Sequence, residues 1–349
     1  MNPGQFLYPN SVTFPEKVCR LRAAFLWQWI AYKRTYAKVL SHIKSVQRRG
    51  LMIRTSSAST CSPHVSPTRL INRDLSTVNT LLTELQIKVS SANFKPAFQI
   101  TNSGTPQQFI SDVTARVKQP WLINQSAASL CGPAAFMYCI AKDAPNLYVK
   151  YVIDLYLSGK GSINNLHVEP SEDCRKGIIS SGKSSIAFVD WIALASLRDS
   201  ENSLFDYQSV TDQVGGITLP GILAKWFKLA GYCNVNSSAS IVSSQGPKHL
   251  VDAAISYQNN KNVCLFVSGK SLNSPFAVKT FPSHWVVMSD HLTFGDSFHK
   301  DYSKKIEDLK KETISLPVYT WGSEKREWNP QHLSLDDFSS YYFGSVTVG

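Results

Sequence analysis

The chain has 349 residues, 43% hydrophobic and 11% aromatic, enough to bury a large core in one sizeable domain or two modest ones. Its net charge of +11 lies wholly in residues 1–73, where twelve Lys or Arg face the single acid Glu16, while residues 74–349 hold 24 of each sign; the basic balance therefore says nothing about a catalytic domain's substrate, and no nucleic-acid partner is expected. Seven cysteines, odd in number and without CxxC spacing, argue against a disulfide framework or a zinc site and for a reducing site of action, and no apolar run approaches the ~18 residues of a bilayer-spanning helix.

In the N-terminal segment, Val18, Leu21, Phe25, Trp29, Tyr32, Tyr36 and Ile43 recur at helical spacing, with Arg20, Arg22, Lys33, Arg34, Lys38, Lys44 and Arg48 between them. This predicts a basic amphipathic helix that lies on an anionic membrane, docks on a secretion apparatus or chaperone, or packs against the domain with its charges solvated. The opening Met1-Asn-Pro-Gly lacks the basic start of a secretory signal. Arg54–Pro67, rich in Ser and Pro, reads as a linker, so residues 1–73 form an N-terminal segment and residues 74–349 the main domain.

Within that domain, helices are predicted over Leu75–Leu85, then from Cys131, over Leu147–Leu157, Ile186–Leu197, Leu219–Leu229 and Leu250–Tyr257. Strands are predicted over Ala97–Thr101, Asn262–Ser268, 284–289, 292–298 and 313–321, with a helical insertion over 300–311. A helical half followed by a mostly antiparallel sheet half is an α+β architecture. Gly177-Ile-Ile-Ser-Ser-Gly-Lys-Ser184 satisfies the P-loop letters, but the polar, proline-containing residues before it make a poor strand and remove the context a phosphate cradle needs. No cofactor or metal is expected.

The chemistry concentrates at two places. Cys131 precedes Gly132 and Pro133, which open a strongly apolar helix, so its sulfur is expected at the positive end of a buried helix dipole with its pKa lowered. Gln125, six residues earlier, is placed to bring its side-chain amide beside the Cys131 N–H, making two donors for a tetrahedral oxyanion. About 150 residues later, His284 opens the run His-Trp-Val-Val-Met. A histidine at a strand start faces a cleft while the strand is anchored in the core. If 284–289 and 292–298 form a hairpin, Asp296 falls within one pairing of His284 and orients its imidazole. Taken singly, a cysteine before an apolar helix or a histidine before Trp-Val-Val is ordinarily a core residue. Their joint occurrence with Gln125, in this order, points instead to a thiol active site.

At these residues the chain resembles the papain-like cysteine protease superfamily. Gln125, Cys131-Gly at a helix start and a distant His284 at a strand start follow that superfamily's order, and Leu130-Cys-Gly-Pro-Ala-Ala-Phe136 is most similar to papain-like toxin and effector domains of secreted bacterial proteins. Val318-Tyr-Thr-Trp-Gly322 resembles the Asn-Ser-Trp-Gly strand of papain-type enzymes, with Tyr319 where the orienting Asn stands. The resemblance implies a papain-like fold and a cysteine peptidase that cleaves a protein in the cytoplasm of a target cell, as in interbacterial competition, and is blocked by a cognate immunity protein. A glutamine deamidase or amidase uses the same Cys131–His284 pair. A catalytically weak binding module acting through the N-terminal helix is the alternative from another class.

Overall fold

A computed structural model describes residues 73–100, 104–176, 186–202, 217–269, 282–325, 328–329 and 332–349, which belong to one compact unit, Pro63–Gly349. The basic amphipathic helix and the P-loop letters lie outside the described residues.

The helices come first. Helix α1 (Leu75–Val89) starts where the Asp74 carboxylate accepts the Thr77 N–H at 3.0 Å, and α2 (Pro106–Lys118) starts where Thr105 accepts the Gln108 N–H at 3.1 Å, with Pro106 at a position that needs no amide hydrogen. Helices α3 (Cys131–Asp143) and α4 (Pro145–Ser158) follow, separated by Ala144. Helix α3 is buried on nearly every side, as its run of Ala, Phe, Met, Cys and Ile requires. A short hairpin, β1 (Gly161–Ile163) with β2 (Leu166–Val168), leads to a continuous helical stretch made of Phe188–Asp190, a π-helical turn over Trp191–Ala195, and Ser196–Asn202. Helix α5 (Pro220–Leu229) and strand β3 (Val235–Ser237) precede α6 (Pro247–Gln258).

The remainder is mainly sheet: β4 (Asn262–Val267), β5 (His284–Met288), β6 (Thr293–Phe294), β7 (Ile314–Ser315), β8 (Val318–Thr320), β9 (Ser323–Lys325), the short helix α7 (Leu335–Ser339) and β10 (Tyr342–Val348). Six of these strands form one sheet in the order β3-β10-β4-β5-β8-β9, with antiparallel pairing throughout. The fold is α+β, a helical assembly against an antiparallel sheet. Side chains alternate across it. Phe266, Trp285, Val287 and Tyr319 join the core formed with α3, α4 and α5, while Leu265, Val286, Met288 and Val318 join a second core under α6 and α7. Among the described residues no helix is long and apolar enough to cross a membrane.

Several expectations change. Residues 97–100 form no strand: the Ala97 N–H donates to Tyr156 O and the Gln99 N–H to Arg175 O. The predicted hairpin of 284–289 with 292–298 is absent, because β5 pairs with β4 and β8 while β6 pairs with β7 in a separate two-stranded sheet. The predicted strand 313–321 is broken at Leu316-Pro317 into β7 and β8, and the helical insertion shrinks to Ile306–Leu309. Cys131, Cys139, Cys174 and Cys264 are free thiols.

Candidate active site

Cys131 is the first residue of α3, and Leu130 before it supplies no side-chain cap, so the first-turn N–H groups are left for other partners. The backbone N–H groups of Trp285, the residue after His284, and of Gly132 and Cys131 itself lie close enough to the sulfur to favour its charged form. The helix start thus meets the strand start. Thr218 reinforces it from the side: its carbonyl accepts the Trp285 indole N–H at 2.8 Å, and its side chain stands where a Cβ on Gly132 would fall, 2.2 Å from Thr218 Oγ1 and 2.3 Å from Thr218 Cβ. Only a glycine fits after the cysteine, because the chain approaches Thr218 too closely for any side chain.

Gln125 opens the turn that leads into Cys131, with the Ala128 N–H donating to Gln125 O at 3.1 Å. The turn is anchored from beneath by a buried ion pair. Arg116 gives Nε and a terminal nitrogen to the two Asp190 oxygens at 2.7 and 2.6 Å, and Asp190 also accepts the Asn124 N–H at 3.1 Å. Burial opposes the Arg116 charge, but the Asp190 carboxylate more than offsets this and raises the guanidinium pKa further above its ordinary value. The Gln125 side chain itself is 6% exposed, and its Oε1 has no hydrogen-bond partner. A buried amide oxygen left unpaired costs about 1–3 kcal/mol.

His284 begins β5 and is buried. Its Nε2 lies 2.7 Å from Thr320 Oγ1 at the end of β8, and the Trp321 ring stacks on the imidazole with centroids 4.4 Å apart and planes 19° apart. The strands explain the first contact. Val287 opposes Tyr319 and Met288 opposes Val318, and continuing that register sets Thr320 opposite Val286, a diagonal neighbour of His284 on the same face. The turn after Thr320 is fixed by Gly322 at φ +73, where Asn124 fills the space a Cβ would need at 2.6 Å, so the loop carrying Gln125 and the turn carrying Trp321 rest on each other.

The structure sets Cys131 close to Trp285, the residue after His284, with Gln125 on the turn before the helix, and it does not place Asp296 on a strand paired with His284. Asp296 lies on an exposed turn between β6 and the following segment, in a different sheet from His284. The physical reason is pairing: the Ser289 N–H continues toward Pro317 O, which keeps β5 on β8, and Leu292 and Phe294 are buried in the core under α6 instead of beside β5. Tyr319, at the position of the orienting Asn in the resemblance, faces the helical core, where its hydroxyl donates to Ile123 O and its ring stacks on Tyr138 at 4.1 Å. The residue that meets His284 is Thr320. The signal available in the sequence was the Thr-Trp-Gly run itself.

The electrostatics also differ from expectation. Burial raises the Cys131 thiol above its ordinary value, and the surrounding backbone N–H groups and Arg198 only partly oppose this. Burial, with the Lys325 charge adding to it, lowers His284 to about 3. Among the described residues no hydrogen bond joins the thiol to the imidazole. At rest the thiol and the imidazole are both neutral, and the Trp285 N–H and the helix start would favour a negative sulfur. The chain matches no protein-family model, no curated protein and no solved structure.

Proposed function

We propose that the chain is a thiol hydrolase of papain-like type, a cysteine peptidase with Cys131 as nucleophile and His284 as general base. What supports this reading is a cysteine at a helix start close to the backbone N–H of the residue after His284, a histidine bonded through Nε2, and a buried glutamine on the turn that leads into the cysteine. Such a site has the parts acyl transfer needs. His284 Nδ1 takes the Cys131 proton as the sulfur bonds to the carbonyl carbon of an amide. The carbonyl oxygen becomes an oxyanion, held by the Cys131 N–H and the Gln125 side-chain amide. The tetrahedral species collapses, the imidazolium returns its proton to the leaving amine, and water, activated by the same histidine, releases the acyl group. The neutral resting groups suit this scheme: the thiol proton moves to His284 only as the sulfur attacks, so no charged pair has to stand in the desolvated site.

Cleavage of a protein inside a target cell, and control by an immunity protein, belong to the same proposal and rest on the resemblance at Leu130–Phe136. The test is expression of the full chain and of Cys131→Ala in bacterial cells, with new protein N-termini and one-dalton amide shifts mapped by mass spectrometry. New N-termini that require Cys131 support a peptidase. Amide shifts that require Cys131 assign a deamidase on the same site. Identical proteomes from the two proteins, both folded, refute the thiol mechanism in those cells.

A further inference from the structure

We propose that Thr320 is the positioning residue of this site: its hydroxyl oxygen accepts the Nε2–H of His284 and so holds the imidazole in the tautomer whose Nδ1 lone pair takes the Cys131 proton. The inference rests on the thiol-hydrolase reading and replaces the carboxylate or amide that an orienting group ordinarily supplies. Thr320 is 2% exposed, its Oγ1 is 2.7 Å from Nε2, and the two residues share one face of adjacent antiparallel strands. A neutral imidazole carries one N–H, and the nitrogen that lacks it is the base. When Thr320 accepts from Nε2–H, the proposed direction of this contact, that nitrogen is Nδ1.

Trp321 makes the arrangement durable. Its ring covers one face of the imidazole, and Lys325 Nζ lies 5.4 Å from the centre of the indole. Its backbone sits at φ +47, in the left-handed region that a bulky residue rarely occupies. A tryptophan held there keeps its ring stacked on the imidazole. The other candidates are set apart by position, since Asp296 is on an exposed turn and the neutral Tyr319 faces the helical core. A hydroxyl orients the ring without a negative charge. His284 therefore gains no carboxylate to stabilise its imidazolium, and the site works through proton transfer during attack instead of through a standing thiolate.

The experiment uses the full chain with 4-nitrophenyl acetate as the probe, following nitrophenolate release and acetylation of Cys131 by mass spectrometry as a function of pH. In the step measured, the sulfur–acetyl bond forms, the ester C–O bond breaks, and the thiol proton passes to His284. Thr320→Val is expected to slow Cys131 acetylation by about a hundredfold with little change in half-saturation. Thr320→Ser should recover most of the rate, and Thr320→Asp should move the acid limb of the pH profile upward. Ring ¹⁵N shifts of His284 in the unsubstituted chain give a readout independent of any variant's folding: protonation at Nε2 is expected, and protonation at Nδ1 overturns the proposal. Equal rates and pH profiles for Thr320→Val and the parent, with Cys131→Ala silent, also overturn it while leaving the thiol site intact. If Cys131→Ala releases nitrophenolate as fast as the parent, the underlying reading falls and the proposal with it.

Discussion

Acid should destabilise this protein through one buried histidine, by an amount the structure allows to be worked out. His284 has a folded pKa of about 3 against an ordinary value of 6.5, because the closed core disfavours its cation. In the unfolded chain the ring titrates normally, so between about pH 6.5 and 3 the unfolded state binds a proton that the native state does not, and stability falls as pH falls through that window. At pH 5 the loss relative to neutral pH is about 2 kcal/mol, and at its limit, below pH 3, about 5 kcal/mol. The perturbation that isolates it is His284→Gln, which keeps an amide donor for Thr320 and removes the titration. Urea unfolding at pH 7.5 and pH 5 gives both stabilities for both proteins. The parent should lose about 2 kcal/mol more than the variant over that interval. Asp74, Glu172, Asp301 and Glu312, whose pKa values are lowered in the fold, are present in both proteins and cancel in the difference. Equal pH dependence of parent and variant would show that His284 reaches solvent freely, and the argument from burial would be wrong.

Iodoacetamide should label Cys131 in the native chain more slowly than a free thiol at neutral pH, with a rate that rises about tenfold per pH unit up to pH 9 because burial holds the thiol protonated; a fast, flat profile from pH 6 would reveal a standing thiolate–imidazolium pair. Gly132→Ala should destabilise by about 3 kcal/mol, the upper end for overpacking, since its Cβ would fall 2.2 Å from Thr218 Oγ1. Adding Thr218→Gly should restore part of the loss in a thermal melt, and no rescue would place the strain elsewhere. Asp190→Ala should cost about 3–5 kcal/mol in urea unfolding, because it leaves the Arg116 cation buried and unpaired. The same variant should slow any Cys131-dependent reaction, since the Asn124 N–H and the Gln125 turn lose their anchor; an unchanged rate in the folded fraction would separate the ion pair from the site.

What the amino-acid order settled by itself was local. Apolar spacing placed the helices over 147–157, 219–229 and 250–257 close to their observed bounds, and the β-branched and aromatic runs placed β4 and β5. The coincidence of Gln125, Cys131-Gly-Pro and His-Trp-Val-Val was legible because each motif carries its own local signal, a helix start or a strand start. Strand partnership was not legible, because alternation says which residues share a face and never which strand lies alongside. For that reason alternation places Asp296 in a hairpin that the chain does not make, and it gives no signal at Thr320, the penultimate residue of the strand predicted over 313–321. The protonation state belonged to tertiary structure as well. A helix start by itself lowers a thiol pKa, but only the closure of α3 on β5 decides how much water remains around the sulfur and the ring, and at Cys131 and His284 desolvation outweighs the dipole.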